Sequence, residues 1–247
     1  MDDGRAAPDR GGRASIVRVG QTEDLPAALD GLGVRRGRPV LVLVGGAAGM
    51  DGEHLEILRG LLTETVLPIV DQRGAAVVDG GTDSGVMGVI GRARAADSRR
   101  FPLVGVAAEG TVDTGDQTRE NPDAASLEPH HTHFVLVPGS EWGDESPWLG
   151  HVAEAIADGG AILTMVVNGG GITFDDVSAS LTRHRPVLVL AGTGRTADAI
   201  ADARSGRDAD PRAVAISASP LTRVLSVTDR AGLAAVLDEA LPGGSGG

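Results

Sequence analysis

Short, unbroken apolar runs alternate along this chain with longer amphipathic stretches. The runs fall at residues 39–44 (PVLVLV), 75–78, 102–107, 134–137, 161–167 and 186–190. Continuous apolar runs of this length predict strands buried on both faces, as in a parallel sheet. Between them lie stretches with helical spacing. Residues 53–70 carry Leu55, Leu58, Leu61, Leu62, Thr65 and Val66 on one face, and residues 84–96 carry Val86, Val89, Ile90 and Ala93. Residues 147–157, 174–181, 196–203 and 230–240 also predict helices. Residues 15–19 are expected as an edge strand, and either 213–216 or 224–227 as the last strand. The alternation predicts an α/β fold, a Rossmann-like doubly wound, mostly parallel sheet flanked by helices, in one domain over 14–241. Residues 1–13 are expected as a disordered arm and 242–247 as a flexible Gly/Ser tail or linker. The polar stretch 109–130 lacks apolar periodicity and is expected to be a binding loop or lid.

Four glycine-rich turns stand where a strand hands over to a helix. They are Gly45-Gly46-Ala47-Ala48-Gly49, Gly80-Gly81-Thr82-Asp83-Ser84-Gly85, Asn168-Gly169-Gly170-Gly171 and Gly192-Thr193-Gly194-Arg195-Thr196. A parallel sheet places such turns along one edge, above the carboxyl ends of its strands. Each helix start offers unpaired N–H groups and a partial positive charge. Together they predict a site for an anionic, phosphorylated small molecule. The second turn is the sharpest: Gly80 and Gly81 permit a tight turn, and Thr82 and Ser84 add hydroxyls. Ordinary helix capping by Ser and Thr is the other reading of those hydroxyls.

Composition narrows the chemistry. The formal charge of −12 argues against nucleic acid and anionic membranes as partners. All 22 basic residues are Arg, so a Walker lysine and Schiff-base chemistry are excluded. The absence of Cys excludes disulfides and thiolate metal sites. No run reaches the roughly 20 apolar residues of a membrane span. No signal-peptide pattern opens the chain, and a cytoplasmic location is expected. Aromatic residues make up only 2% of the chain, so Trp142, expected in a loop, stands out as a stacking platform for a base, with core anchoring as its other reading. Trp148 falls in a helix and reads as packing. Arg195 opens a helix after a Gly-x-Gly turn, where guanidinium and helix dipole act on the same anion; pairing with Asp198 is the alternative.

At Gly80 to Met87 (GGTDSGVM) the chain resembles the SLOG superfamily in its TRPM-type branch, which forms a domain of melastatin-type cation channels. Three further segments agree, in order. His131-Thr132-His133-Phe134-Val135-Leu136-Val137 is similar to a family strand reading His-[ST]-His-Phe-Ile-Leu-Val. Trp142-Gly143-Asp144-Glu145 with Pro147 resembles Tyr-Gly-x-Glu and the following Pro-Leu-Arg, with Leu149 at the arginine's place. Gly192-Thr193-Gly194-Arg195-Thr196-Ala197-Asp198 resembles Gly-Ser-Gly-Arg-x-Ala-Asp. The resemblance spans about residues 38–205. It implies a domain that senses nucleotide-derived ligands such as ADP-ribose and relays binding to a fused or separate effector or membrane protein. It implies adenine on Trp142, beside Gly143 and Glu145, and Arg195 on phosphate or ribose. Phosphates would lie over Gly81, Thr82, Asp83, Ser84, Gly85, Val86 and Met87, and over Gly169 to Gly171. No cofactor is required in this reading, and a homo-oligomer is left open.

Two further chemistries come from the residues. Asn168 to Asp176 (NGGGITFDD) compares with the Pro-Gly-Gly-x-Gly-Thr-x-x-Glu loop of the nucleotide phosphoribohydrolases, another SLOG branch. Asn168 replaces Pro, Ile172 the third Gly, and Asp176 the Glu. The shorter carboxylate makes Asp176 a weak catalytic candidate, and N-glycosidic hydrolysis the alternative function. His130, His131 and His133 suggest a metal, but no acidic partner has ligand spacing nearby in sequence, and no metal site is expected. No Gly-x-Ser-x-Gly elbow occurs.

Overall fold

The computed structural model describes residues 14–46, 50, 52–114, 121, 123–207 and 210–243. The expected arm 1–13, the last four residues of the tail, Ala47 to Gly49 of the first glycine-rich turn and part of the 109–130 stretch lie outside the described residues.

Eight strands form one all-parallel sheet: β1 (Ser15–Arg18), β2 (Val40–Gly45), β3 (Ala76–Asp79), β4 (Leu103–Ala108), β7 (His133–Val137), β8 (Ile162–Val167), β9 (Val187–Ala191) and β10 (Thr222–Ser226). Their order is β1-β7-β4-β3-β2-β8-β9-β10. From β2 the chain moves one way through β3 and β4 to β7. It then returns to the other side of β2 and continues through β8 and β9 to β10. The change of direction at β2 and β8 is the topological switch point, where open α/β sheets hold their ligands.

The two faces follow from strand alternation. Val40, Val42 and Val44 point to one layer with Val78, Val104, Val106, Val166 and Val189. That layer is covered by α1 (Leu25–Gly31), α5 (Ser146–Ala157), α6 (Gly171–Thr182), α7 (Arg195–Arg204) and α8 (Pro211–Ala218). Leu41 and Leu43 point to the other layer with Val77, Leu103, Met165 and Leu188. It is covered by α2 (Gly52–Leu61), α3 (Leu67–Gln72), α4 (Gly85–Ala96) and α9 (Arg230–Ala240). The sheet interior is aliphatic, so its strands carry the apolar runs read from the sequence.

Several details differ from expectation. Residues 53–70 are helical, but as α2 and α3 joined by a π-helical turn at Leu62–Val66. Pro68, in the first turn of α3, has no N–H to give a preceding carbonyl, and the widened turn sits just before it. Residues 213–216 lie in α8, not in a strand. Asp210 Oδ accepts the Arg212 N–H at 2.8 Å and Pro211 follows at the first helical position, a start signal that outweighs the short apolar run. The last strand is Thr222–Ser226, in register with β9. Within 109–130 the described residues include two short parallel strands, β5 (Val112–Asp113) and β6 (Ala125–Ser126), and a bridge from Leu127 to Thr82.

Asp229 caps α9, its Oδ1 accepting the Gly232 N–H at 2.9 Å. Asp229→Ala is expected to cost about 1 kcal/mol in chemical denaturation.

Candidate functional site: a crevice at the switch point

A cavity of about 580 Å³ opens above the carboxyl ends of β2, β3 and β4. Leu43 to Gly46 line it at the end of β2, and Gly80, Thr82, Ser84, Gly85 and Met87 at the entry to α4. Gly170, Gly171, Ile172, Thr173 and Asp176 come from the start of α6, and Trp142, Glu145 and Leu149 from the start of α5. Among these lining residues there is no cationic side chain. Positive potential comes from the helix starts of α4 and α6.

The α4 entry is built for backbone exposure. Gly81 has φ +68°, and an added Cβ would sit 2.8 Å from the Gly105 Cα. Ser84 is the N-cap in extended geometry with no side-chain capping bond; its hydroxyl lies 3.0 Å from that of Thr82 instead. The capping reading of Ser84 is therefore not what its side chain does. At α6, the Thr173 Oγ1 accepts the Gly170 N–H at 3.1 Å, and the Thr196 hydroxyl donates to the Gly170 carbonyl at 2.8 Å.

Trp142 stands on the rim, 47% exposed, beside exposed Ile172. The core-anchoring reading of Trp142 does not fit, whereas Trp148 does pack on the core. Leu149, at the place of the family's arginine, is buried in the crevice wall.

The crevice brings together Gly45, Gly46, Thr82, Ser84, Gly85, Met87, Trp142, Glu145, Gly170, Gly171 and Asp176. The other expected residues support it from outside its lining. Val86 is buried in the core, and Asp83 pairs with Arg92 at 2.9 Å. Gly143 donates its N–H to the Glu145 Oε2 at 3.0 Å. Asn168 ties two loops together: its N–H donates to the Thr193 Oγ1, its Nδ2 to the Thr193 carbonyl, and its Oδ1 accepts the Gly169 N–H. Gly192 donates its N–H to Asp198 Oδ1 at 2.6 Å. Gly194 holds its turn at φ +94°, against the Asn168 amide. Arg195 lies over the α6 entry, its Nη2 3.4 Å from where a Gly170 Cβ would be.

Two carboxylates stand in the wall. Burial pushes Asp176 up to about 7, with Glu145 and Asp175 adding repulsion. Burial also raises Glu145, more than the backbone N–H groups at its carboxylate lower it. The neighbouring Ser146 hydroxyl opposes the rise, although neither the Ser146 Oγ nor the Asp176 Oδ1 has a partner in good hydrogen-bond geometry.

Beneath the α4 entry lies a group that the sequence alone did not assemble. His131 Nε2 is 2.8 Å from Asp79 Oδ1, and its Nδ1 is 2.8 Å from Glu128 Oε2. All three side chains are buried. Asp79 Oδ1 also accepts the Gly81 N–H at 2.8 Å. Burial alone would lower the imidazole, but the two carboxylates outweigh it and raise His131 to about 9. Strand β7 begins at His133, so His131 precedes the strand and stacks on Phe134. The histidine run thus holds an ion triad, and no group of three or more His, Asp or Glu among the described residues is placed to hold a metal ion. Asp79 had a signal, a charge closing an apolar strand. Glu128 had none.

A family profile described as "SLOG in TRPM, prokaryote" matches residues 38–235. The chain belongs to this SLOG family. It is similar to transient receptor potential cation channel subfamily M member 2 of Rattus norvegicus, 24% identical over 183 residues, covering 58% of this chain and 12% of the channel. A subfamily M member-like 2 channel of Nematostella vectensis is 26% identical over 180 residues, with the same coverage. The SLOG chain thus corresponds to a small part of those channels. In fold it is similar to the X-ray structure of TM1055, a structural-genomics target, with a TM-score of 0.52 at 16% identity, covering 81% of this chain and 99% of that one. Among the described residues no helix of this SLOG domain is long and apolar enough to cross a membrane.

Proposed function

We propose that this SLOG domain is a nucleotide-ligand sensor that binds ADP-ribose or a related adenine nucleotide in the switch-point crevice. One observation carries the reading. The entries of α4 and α6, free of bulky side chains, face the same cavity as an exposed tryptophan in a chain that has only two. Helix starts receive phosphate and the indole receives a base. Arg195, over the α6 entry, adds charge to the same anion. The relatives are cation channels, and the reading includes an effector that responds to differential affinity for two states. A cytoplasmic setting and a fused or separate effector belong to this reading.

Isothermal calorimetry with ADP-ribose, its cyclic form, NAD, AMP and ATP tests it. One ligand is expected to bind in the micromolar range. Trp142→Ala should weaken it by about 1–3 kcal/mol through lost stacking. Arg195→Ala should cost about 1.5–3 kcal/mol, the range for a hydrogen bond to a charged group. Silence across the panel, or affinity untouched in both variants, would count against it.

One observation favours a second reading, N-glycosidic hydrolysis of a nucleotide. Asp176 faces the crevice with a carboxyl raised to about 7, as a general acid requires. A nucleoside monophosphate panel assayed for released base, with Asp176→Ala as control, separates the two readings; no product sinks the hydrolase.

A further inference from the structure

The crevice holds two kinds of group. The α4 and α6 starts present N–H groups, and Thr82 and Ser84 add hydroxyls. Near Trp142, Glu145 and Asp176 present carboxylates, with no cationic side chain among the described lining residues to neutralise them. Glu145, the N-cap residue of α5, lies three residues after Trp142 and accepts the Gly143 N–H at 3.0 Å. Asp176 stands in the same wall, close enough to Glu145 for their charges to repel. A group bound against two neighbouring carboxyls is favoured if it donates hydrogen bonds and disfavoured if it carries negative charge.

We propose that Glu145 and Asp176 are specificity-determining residues that receive the ribose diol of the nucleoside whose base lies on Trp142, and that they exclude ligands phosphorylated on that ribose. The inference rests on the nucleotide reading above. A carboxylate suits this task because it accepts from a 2′-hydroxyl and repels a 2′-phosphate, the device by which acidic residues separate NAD from NADP in dinucleotide folds. The burial that raises both carboxyls reports the same property, a wall in which added negative charge is costly. The phosphates of the ligand lie on the helix-start N–H groups, which favour negative charge, and the diol on the carboxyls, which do not.

The test is calorimetry with ADP-ribose and with ADP-ribose 2′-phosphate on the wild type, Glu145→Gln and Asp176→Asn, with thermal melts to verify folding. The wild type is expected to prefer ADP-ribose at least tenfold. The two amide variants keep the shape of the wall and remove its charge. They should narrow that preference several-fold, chiefly by admitting the 2′-phosphate. Equal binding of the two ligands by the wild type, or a preference unchanged in both folded variants, overturns the inference while leaving the nucleotide reading intact. Binding of neither ligand overturns the nucleotide reading, and this inference with it.

Discussion

His131→Ala is expected to destabilise the fold by about 3–5 kcal/mol, because it leaves Asp79 and Glu128 buried without their counter-charge. Each carboxylate already has one oxygen without a partner, Asp79 Oδ2 and Glu128 Oε1, so no spare hydrogen bonds stand ready to absorb the loss. The Glu128 carboxylate fills the space that Gly91 of α4 leaves by having no side chain: a Cβ there would lie 2.1 Å from its Oε2. Urea denaturation at pH 6 measures the loss; a change below 1 kcal/mol would mean that the triad is dispensable.

The same substitution predicts a pH dependence with a definite sign. The folded His131 pKa, about 9, lies above its ordinary 6.5. Its contribution is therefore complete below pH 6.5, where both states hold the proton. It falls between 6.5 and about 9, where only the folded state holds it, and is gone above. The gap in stability between wild type and His131→Ala should narrow across that window. Comparing the two proteins removes the contribution of Asp176, which both share.

Much of this architecture was legible because the sheet is parallel and buried. The alternating Val and Leu of residues 40–44 fix a strand and assign its two faces, and the same holds for β8 and β9. Edges and short elements were not. Residues 213–216 look like a strand in isolation, and only the Asp210-Pro211 start marks a helix. The helix α1 rests on two residues, Leu25 and Leu29, too few for a periodic signal. In the crevice, Trp142 was visible because aromatics are scarce, and the glycine turns because each follows an apolar run. Glu128 was invisible. Its partner His131 is near in sequence, but Asp79 is 52 residues from that histidine, and only the β3–β4–β7 neighbourhood brings them together.

Gly81→Ala should be strongly damaging at the α4 entry, costing about 2–5 kcal/mol and weakening nucleotide binding with it. Two effects add. At φ +68° an L side chain costs about 1–2 kcal/mol. The new Cβ would also meet the Gly105 Cα at 2.8 Å and the Phe134 ring at 2.9 Å, both held within the sheet, and overpacking of this kind costs about 1–3 kcal/mol. Relief requires Gly81 to move outward. Its N–H is held by Asp79 and its carbonyl accepts the Glu128 N–H at 2.9 Å, so the movement pulls on the Asp79 carboxylate and on the Glu128 backbone. It also carries Thr82 and Ser84 away from the α6 entry that they face. The affinity loss should therefore exceed that of a Thr82→Val control, which removes a hydroxyl and leaves the backbone in place. Thermal denaturation and ADP-ribose titration of the two variants measure this directly. A stable Gly81→Ala protein with unchanged affinity would show that the turn has room to shift, and that its glycine serves neither the packing nor the ligand.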